Sequence, residues 1–233
     1  MTGQQKVAAV VAEFVGTYVL ATAMLAMLVR TNFEFFSAIA AGVVYGGLYL
    51  VFGSVSGSHL NPAVTVGNWC LRKISLVEGV VFIIVQLLAG LVAWKVGQYF
   101  LGQALSKTAT GGIDWRVFVS EAVGATVFGM AVAAVAYKKD LEVSRKAVIL
   151  GVGLFAGILI ASLASNGLLN PAVAIAARSV SWAYIAGPVL GLIVGVIVYN
   201  IVFNESFYAL ATTARASISK KPVTKSTAKT KKK

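Results

Sequence analysis

The chain alternates between long apolar runs and short polar connections. Six runs are long enough to cross a hydrocarbon layer roughly 30 Å thick as helices, at about 1.5 Å of rise per residue. They cover residues 7–29, 35–55, 76–101, 117–137, 147–164 and 182–203. Gly and Ala recur in these runs, which favours close helix packing in lipid. The pattern predicts an all-α membrane protein with six transmembrane helices in one domain.

Two shorter apolar segments, 61–69 and 170–178, both begin with the sequence Asn-Pro-Ala-Val. The Asn suits a helix N-cap, and Pro suits the first helical position because its missing N–H is not needed there. Each predicted helix covers only about half of the bilayer. Since a broken helix at membrane depth is tolerated only against protein or beside a watery cavity, the two segments predict re-entrant half-helices meeting at a pore or binding site. The motif residues are Asn61, Pro62, Ala63, Asn170, Pro171 and Ala172.

Composition agrees with a membrane protein and argues against several other classes. Hydrophobic residues make up 58% of the chain and charged residues 12%, with a mean hydropathy of +0.85. These values exclude an ordinary soluble domain. The single His, the single Cys and the scattered acidic residues show no metal-ligand spacing, so we expect no metal and no cofactor. No nucleophile, base and oxyanion set is placed together, so no catalytic residue is assigned and an enzyme is not expected.

The positive charge is concentrated at the C-terminus. Residues 215–233 carry eight of the 20 Lys and Arg residues and no acid, which leaves +4 of the net +12 for the rest of the chain. The segment 204–233 is therefore predicted to be a disordered basic tail, acting either as a topology and solubility element or as a contact for anionic lipid. It offers no specific support for nucleic-acid binding. Basic residues of the loops favour a cytoplasmic location for both termini. The membrane is expected to be the plasma membrane.

Two buried acidic residues reveal an internal repeat. Glu13 lies 48 residues before Asn61, and Glu121 lies 49 residues before Asn170. Because each copy would hold three spanning helices, the second copy enters the membrane from the opposite side, which is an inverted repeat. Carboxylates at membrane depth are costly, so we interpret both as braces for the backbone of the broken loops, with direct action on a substrate as the alternative.

The repeat divides the chain into five parts. They are a cytoplasmic N-terminus at 1–6, a first repeat at 7–101, an extracellular linker at 102–116, a second repeat at 117–203 and the tail at 204–233.

Together these motifs resemble the aquaporin, or major intrinsic protein, family. The resemblance covers about residues 8–203 and rests on 56–65, on 170–172, on the paired glutamates, on Gln86 and on Gly187-Pro188. It implies a homotetramer of aquaporin-like six-helix protomers, each with its own pore in the lipid bilayer. It also implies that the side-chain amides of Asn61 and Asn170 face the lumen, with His59 in the adjoining vestibule, where simple packing is an equal alternative.

The sequence departs from the family pattern at the selectivity filter. Val173 replaces the Arg that usually follows the second Asn-Pro-Ala, and the other filter positions fall at Ala41, Ile158 and Gly167. Water-selective members carry an aromatic residue, a His and a small residue at those three positions, so the predicted filter is small, apolar and uncharged. Arg178 lies five residues past Val173, about 140° around a helix, so it should face away. A displaced role for it at the outer mouth stays open.

The leading hypothesis is a passive channel for water and small uncharged, glycerol-like solutes. One alternative is a secondary transporter built on inverted repeats, which would need a titratable group beside the broken loops. Glu13 and Glu121 are the only acidic residues that the sequence places there for that role. The other alternative is a non-conducting structural membrane protein.

Overall fold

The fold consists of helices throughout the part of the chain that can be described. The computed structural model describes residues 2–30, 34–105, 114–138 and 140–204, and within those ranges it has eight helices and no strand. The helices are α1 (Gly3–Arg30), α2 (Glu34–Phe52), α3 (Pro62–Cys70), α4 (Leu76–Leu101), α5 (Trp115–Tyr137), α6 (Val143–Ala161), α7 (Pro171–Ala176) and α8 (Trp182–Phe203). The middle of the predicted linker, 106–113, and the predicted tail from 205 onward lie outside the described residues.

Six of these helices are long and apolar enough to cross a membrane, counting only the described ranges: α1, α2, α4, α5, α6 and α8. The prediction of an all-α protein with six spanning helices is confirmed. The short helices α3 and α7 fall where the two half-helices were expected.

Helices α2 and α6 both end three residues before their apolar runs end. After Phe52 and Ala161 the chain turns, and these turns bring Ser56 and Ser165 within hydrogen-bond distance of the two buried glutamates. The hydroxyl of each Ser donates to its carboxylate over 2.7 Å. The ends of α2 and α6 therefore coincide with a polar contact, which cannot be predicted from the apolar pattern alone.

The N-termini of α3 and α7 have the capping chemistry that their sequences predict. The side chain of Asn61 accepts a hydrogen bond from the backbone N–H of Ala63, and that of Asn170 accepts one from Ala172. Pro occupies the first helical position in both. These contacts satisfy N–H groups that have no partner inside a helix.

Helix α7 ends two residues before its predicted end. Arg178 has φ 55°, in the left-handed region, and the backbone N–H of Ser179 donates to the carbonyl of Ala174 over 2.9 Å. This hydrogen bond closes the helix C-terminus in the manner of a Schellman motif. Arg178 thus belongs to the closing turn and not to the helix.

The two repeats are interlocked through the half-helices. α3 packs against α8 as well as α4, and α7 packs against α4 and α1 of the first repeat. Each half-helix therefore contacts the last helix of the other repeat. This exchange brings the two N-termini together in the middle of the molecule, where Asn61 and Asn170 lie.

Glycines allow the close approach of helices in this core. A Cβ added at Gly191 of α8 would collide with the carbonyl oxygen of Ala122 on α5 and lie 2.7 Å from its carbonyl carbon. A Cβ added at Gly90 of α4 would collide in the same way with the carbonyl oxygen of Ala172 on α7. Backbone atoms cannot rotate away, so the absence of a side chain is a condition for this packing.

We expect Gly191→Ala to lower the free energy of unfolding by about 1–3 kcal/mol, because overpacking forces two backbones apart. Detergent-denaturation curves of the purified protein would measure it. Gly47→Ala is the matched control, since nothing lies within 4 Å of a Cβ at Gly47. Equal destabilisation by both substitutions would contradict the close contact of α5 with α8.

Candidate functional site

The carboxylate of Glu13 holds the loop that precedes α3. Glu13 is fully buried, and its Oε1 accepts hydrogen bonds from Ser56 Oγ at 2.7 Å and from the backbone N–H of His59 at 2.8 Å. Its Oε2 accepts hydrogen bonds from the backbone N–H of Leu60 at 2.7 Å and from Gln86 Nε2 at 2.8 Å. The loop backbone at membrane depth thereby finds its acceptors in a side chain.

Glu121 repeats this arrangement in the second half of the chain. It is fully buried and accepts hydrogen bonds from Ser165 Oγ at 2.7 Å, from the N–H of Leu168 at 2.9 Å and from the N–H of Leu169 at 2.7 Å. Leu60 and Leu169, which end the two loops, have φ values of 51° and 50°. Such left-handed conformations are costly for residues other than Gly, and the bonds to the carboxylates help to maintain them.

Asn61 and Asn170 bind the two loops to each other. Asn61 Nδ2 donates to the carbonyl of Leu169 over 2.9 Å, and Asn170 Nδ2 donates to the carbonyl of Leu60 over 2.9 Å. The sequence predicted that both NH₂ groups face a lumen. In the structure, one hydrogen of each NH₂ group is donated to the opposite loop and so joins the half-helices. An amide NH₂ has two hydrogens, so each group keeps one more.

A narrow cavity adjoins these two amides. Its volume is about 10 Å³. A cavity needs about 10–15 Å³ to hold a single water molecule. Its walls are formed by Leu20, Met24, Ala41, Asn61, Leu154, Ile158, Leu168, Asn170 and Val173. We call this space the narrow cavity.

Three of the predicted filter positions, Ala41, Ile158 and Val173, line the narrow cavity, and Gly167 does not. Gly167 has φ 59°, and a Cβ there would lie 2.7 Å from Ser162 Oγ, so its backbone needs the glycine. Its neighbour Leu168 forms the wall instead. Sequence reasoning also missed further aliphatic wall residues, namely Leu20, Met24 and Leu154.

A larger space, the wide cavity, lies beside the loop that precedes α3. It has a volume of about 230 Å³. Its walls are formed by Tyr45, Tyr49, Ser56, Gly57, His59, Val64, Asn68, Lys73, Val132, Val135, Ala136 and Leu150. His59 thus lies in an open chamber, with its Nδ1 3.2 Å from Thr65 Oγ1.

The internal repeat relates the walls of the two cavities. Four wide-cavity residues of the first repeat have a counterpart 109 residues later in the narrow cavity. Two narrow-cavity residues of the first repeat have a counterpart 108 or 109 residues later in the wide cavity. The pairs are Tyr45 with Leu154, Tyr49 with Ile158, His59 with Leu168, Val64 with Val173, Met24 with Val132 and Ala41 with Leu150. The two cavities therefore occupy equivalent places in the two repeats, and phenol and imidazole groups on one side correspond to aliphatic groups on the other.

Arg178 lies away from the narrow cavity. Its Nη1 donates to the carbonyl of Leu105 over 3.0 Å, and its Cζ lies 4.7 Å from the centre of the Trp94 ring on α4. The expectation that it faces away assumed a helix continuing through 178. The side chain does turn toward α4, but from the turn that follows α7.

Six spanning helices, two half-helices joined at their N-termini and cavities at equivalent places in the two repeats are the architecture of an inverted-repeat membrane protein. The family model for the major intrinsic proteins matches residues 1–199. The chain belongs to the major intrinsic protein family, as the sequence motifs indicated. It is an integral, multi-pass membrane protein.

Individual relatives agree with this assignment. The chain is 30% identical to the glycerol uptake facilitator protein-like 6 of Lactiplantibacillus plantarum, over 78% of this chain and 92% of that one. It is 30% identical to nodulin-26 of Glycine max, over 78% of this chain and 73% of that one. The X-ray structure of the aquaglyceroporin from Plasmodium falciparum has the same fold, with a TM-score of 0.68 and 18% identity over 89% of this chain and 99% of that one.

Removing the charge of Glu13 tests the brace. Glu13→Gln keeps the shape of the side chain but turns an NH₂ donor toward backbone N–H groups or Ser56. We expect the free energy of unfolding to fall by about 3 kcal/mol, since a buried donor left without an acceptor is costly. Denaturant titration of the purified protein would measure this.

Glu142→Gln serves as the control for that experiment, because Glu142 and its partner Arg145 are both largely exposed and 4.0 Å apart. Its effect should stay within about 0.5 kcal/mol. If Glu13→Gln were no more harmful than Glu142→Gln, the loop would not depend on the buried carboxylate.

Proposed function

We propose that the protein is a passive channel for water and small uncharged, glycerol-like solutes, which pass in single file between the two Asn-Pro-Ala motifs. The observation that carries the proposal is the pair of repeat-related cavities, of which the narrow one is lined by Asn61 and Asn170 and the wide one by His59 and Val64 nearby. A path through the molecule needs an opening in each repeat and a shared junction, and the two cavities meet that need.

The chemistry at the junction suits neutral molecules. Each Asn can direct its second amide hydrogen toward a passing oxygen atom, which replaces part of the hydration that the solute loses. The N-termini of α3 and α7 both point to this junction, and a helix N-terminus carries the equivalent of about half a positive charge. Cations are therefore opposed there while neutral hydrogen-bond acceptors are accommodated.

The walls of the narrow cavity favour permeants that tolerate an apolar constriction. Ala41, Ile158 and Val173 offer no side-chain donor, so a solute keeps hydrogen bonds only to the Asn amides and to other molecules in the file. Polyols present C–H groups to such walls, which supports glycerol-like solutes beside water.

The bonding of the two glutamates speaks against a secondary transporter. Each carboxylate is fully buried and bound to the loop backbone and to a Ser hydroxyl, so neither is placed to couple transport to an ion. The walls of both cavities, within the described ranges, contain no Asp or Glu.

The wider setting of the channel is part of the proposal. It includes a homotetramer, both termini on the cytoplasmic side, and a place in the plasma membrane. On this orientation the wide cavity opens to the cytoplasm, because its wall includes Lys73, a basic residue of the connection between α3 and α4, and basic connections favour the cytoplasmic side. The basic tail adds a contact with anionic lipid headgroups.

Val173→Arg tests the path, because it places a long charged side chain in the wall of the narrow cavity. In proteoliposomes we expect glycerol permeability to fall to the level of empty vesicles and water permeability to fall less, since only the smaller molecule can pass the added group. Stopped-flow light scattering under sucrose and glycerol gradients would measure both.

Val180→Arg is the matched control, because Val180 is 45% exposed and does not belong to the wall of either cavity. It adds the same charge and should leave both permeabilities near those of the unchanged protein. A glycerol-to-water ratio that Val173→Arg does not alter would argue against a path through the narrow cavity.

A further inference from the structure

We infer that Met24 of α1 is a specificity-determining residue of the channel, because its side chain fills the narrow cavity and sets the size of solute that passes. The inference rests on the proposed function and goes beyond it. The filter positions expected from the sequence lie on α2, α6, the second loop and α7, whereas Met24 lies on α1.

The volume of the narrow cavity does not follow from the predicted filter residues. Of the three that line the cavity, Ala41 and Val173 are small and only Ile158 is bulkier, and Gly167 is not part of the wall. A lumen bounded by such residues alone would be wide, yet the space left is about that of one water molecule. Other side chains must occupy the difference.

Comparison with the wide cavity identifies the residue responsible. In the six pairs of repeat-related wall residues, the narrow side has the smaller or an equal side chain in four: Leu for Tyr, Ile for Tyr, Ala for Leu and Val for Val. Leu168 and its counterpart His59 are close in volume. Met24, opposite Val132, is the exception, with a longer side chain on the narrow side. The cavity whose side chains are no larger at most of the other positions is nevertheless the one that holds about 10 Å³.

Met24 is well placed for this role. It is 2% exposed, so its side chain lies inside the protein, and Leu20 lies one helical turn away on the same wall. Met is unbranched and has three rotatable side-chain bonds, so it can move aside for a solute at lower cost than a β-branched residue. A glycerol-like molecule would pass only when the thioether is displaced, while a water molecule would pass without such movement.

The test compares Met24→Ala with Met27→Ala, which makes the same substitution on the same helix at a residue outside both cavity walls. Both variants and the unchanged protein are reconstituted in liposomes of one lipid composition. Water permeability is measured under a sucrose gradient and glycerol permeability under a glycerol gradient. Met24→Val, which installs the residue of the other repeat, is included because it removes less of the side chain and keeps the experiment decisive if Met24→Ala folds poorly.

We expect Met24→Ala to raise the glycerol-to-water permeability ratio by about tenfold, which corresponds to about 1.4 kcal/mol of barrier. Met24→Val should raise it by a smaller factor, and Met27→Ala should leave it unchanged. An unchanged ratio in both Met24 variants of a conducting protein, or an equal rise in Met27→Ala, would overturn the inference and leave the channel function intact.

Failure of the proposed function gives a different result. An unchanged protein that conducts nothing faster than empty vesicles would contradict the open channel. If Met24→Ala then conducts and Met27→Ala does not, Met24 closes the path, and its role in setting the opening is supported. If the Met24 variants are silent as well, the inference is overturned together with the function.

Discussion

The structure depends on one constraint, which is that backbone N–H groups at membrane depth must find acceptors. A loop that breaks a helix halfway across the bilayer exposes several such groups, and water is excluded there. Glu13 and Glu121 provide the acceptors, each for two consecutive amides and a Ser hydroxyl. The cost of burying a carboxylate is offset because its oxygens are saturated with short, charge-assisted hydrogen bonds.

Several other features follow from this constraint. α2 and α6 end before Ser56 and Ser165, and this lets the two hydroxyls reach the glutamates. The left-handed conformations of Leu60 and Leu169 expose their carbonyls to the opposite loop, where Asn170 and Asn61 donate to them. The junction of the half-helices is therefore an outcome of the two braces and not of the Asn-Pro-Ala motifs alone.

Much of this could be predicted from the sequence, because the relevant signals are local or repeated. Apolar runs predicted six spanning helices, Asn followed by Pro predicted two helix starts, and the spacing of the glutamates from the motifs predicted the inverted repeat.

The end of α7 could not be predicted in this way, because it depends on a left-handed Arg178 and a backbone hydrogen bond between residues 174 and 179. The small volume of the narrow cavity was also missed, since the four filter positions were considered without Leu20 and Met24 of α1, which line it. The repeat offset pairs Met24 with Val132 on α5, and it indicates Met24 as a wall residue only once Val132 is known to line the wide cavity.

The asymmetry of the two halves shows how one backbone design can give two different environments. The loops, braces and caps of the repeats are nearly equivalent, so the positions that face the two cavities are fixed by the backbone. Their side chains are not equivalent: Tyr45, Tyr49 and His59 make one chamber polar, and Leu154, Ile158 and Leu168 make the other aliphatic. In the polar chamber the Tyr45 hydroxyl donates to the loop carbonyl of Ser58 over 2.9 Å, so part of that polarity serves the loop. Leu154, Ile158 and Leu168 form no side-chain hydrogen bond to the second loop, where the hydroxyl of Tyr184 accepts one from the N–H of Asn166 instead. On the proposed function, substitutions at these three positions would therefore change selectivity without removing a hydrogen bond from the loop.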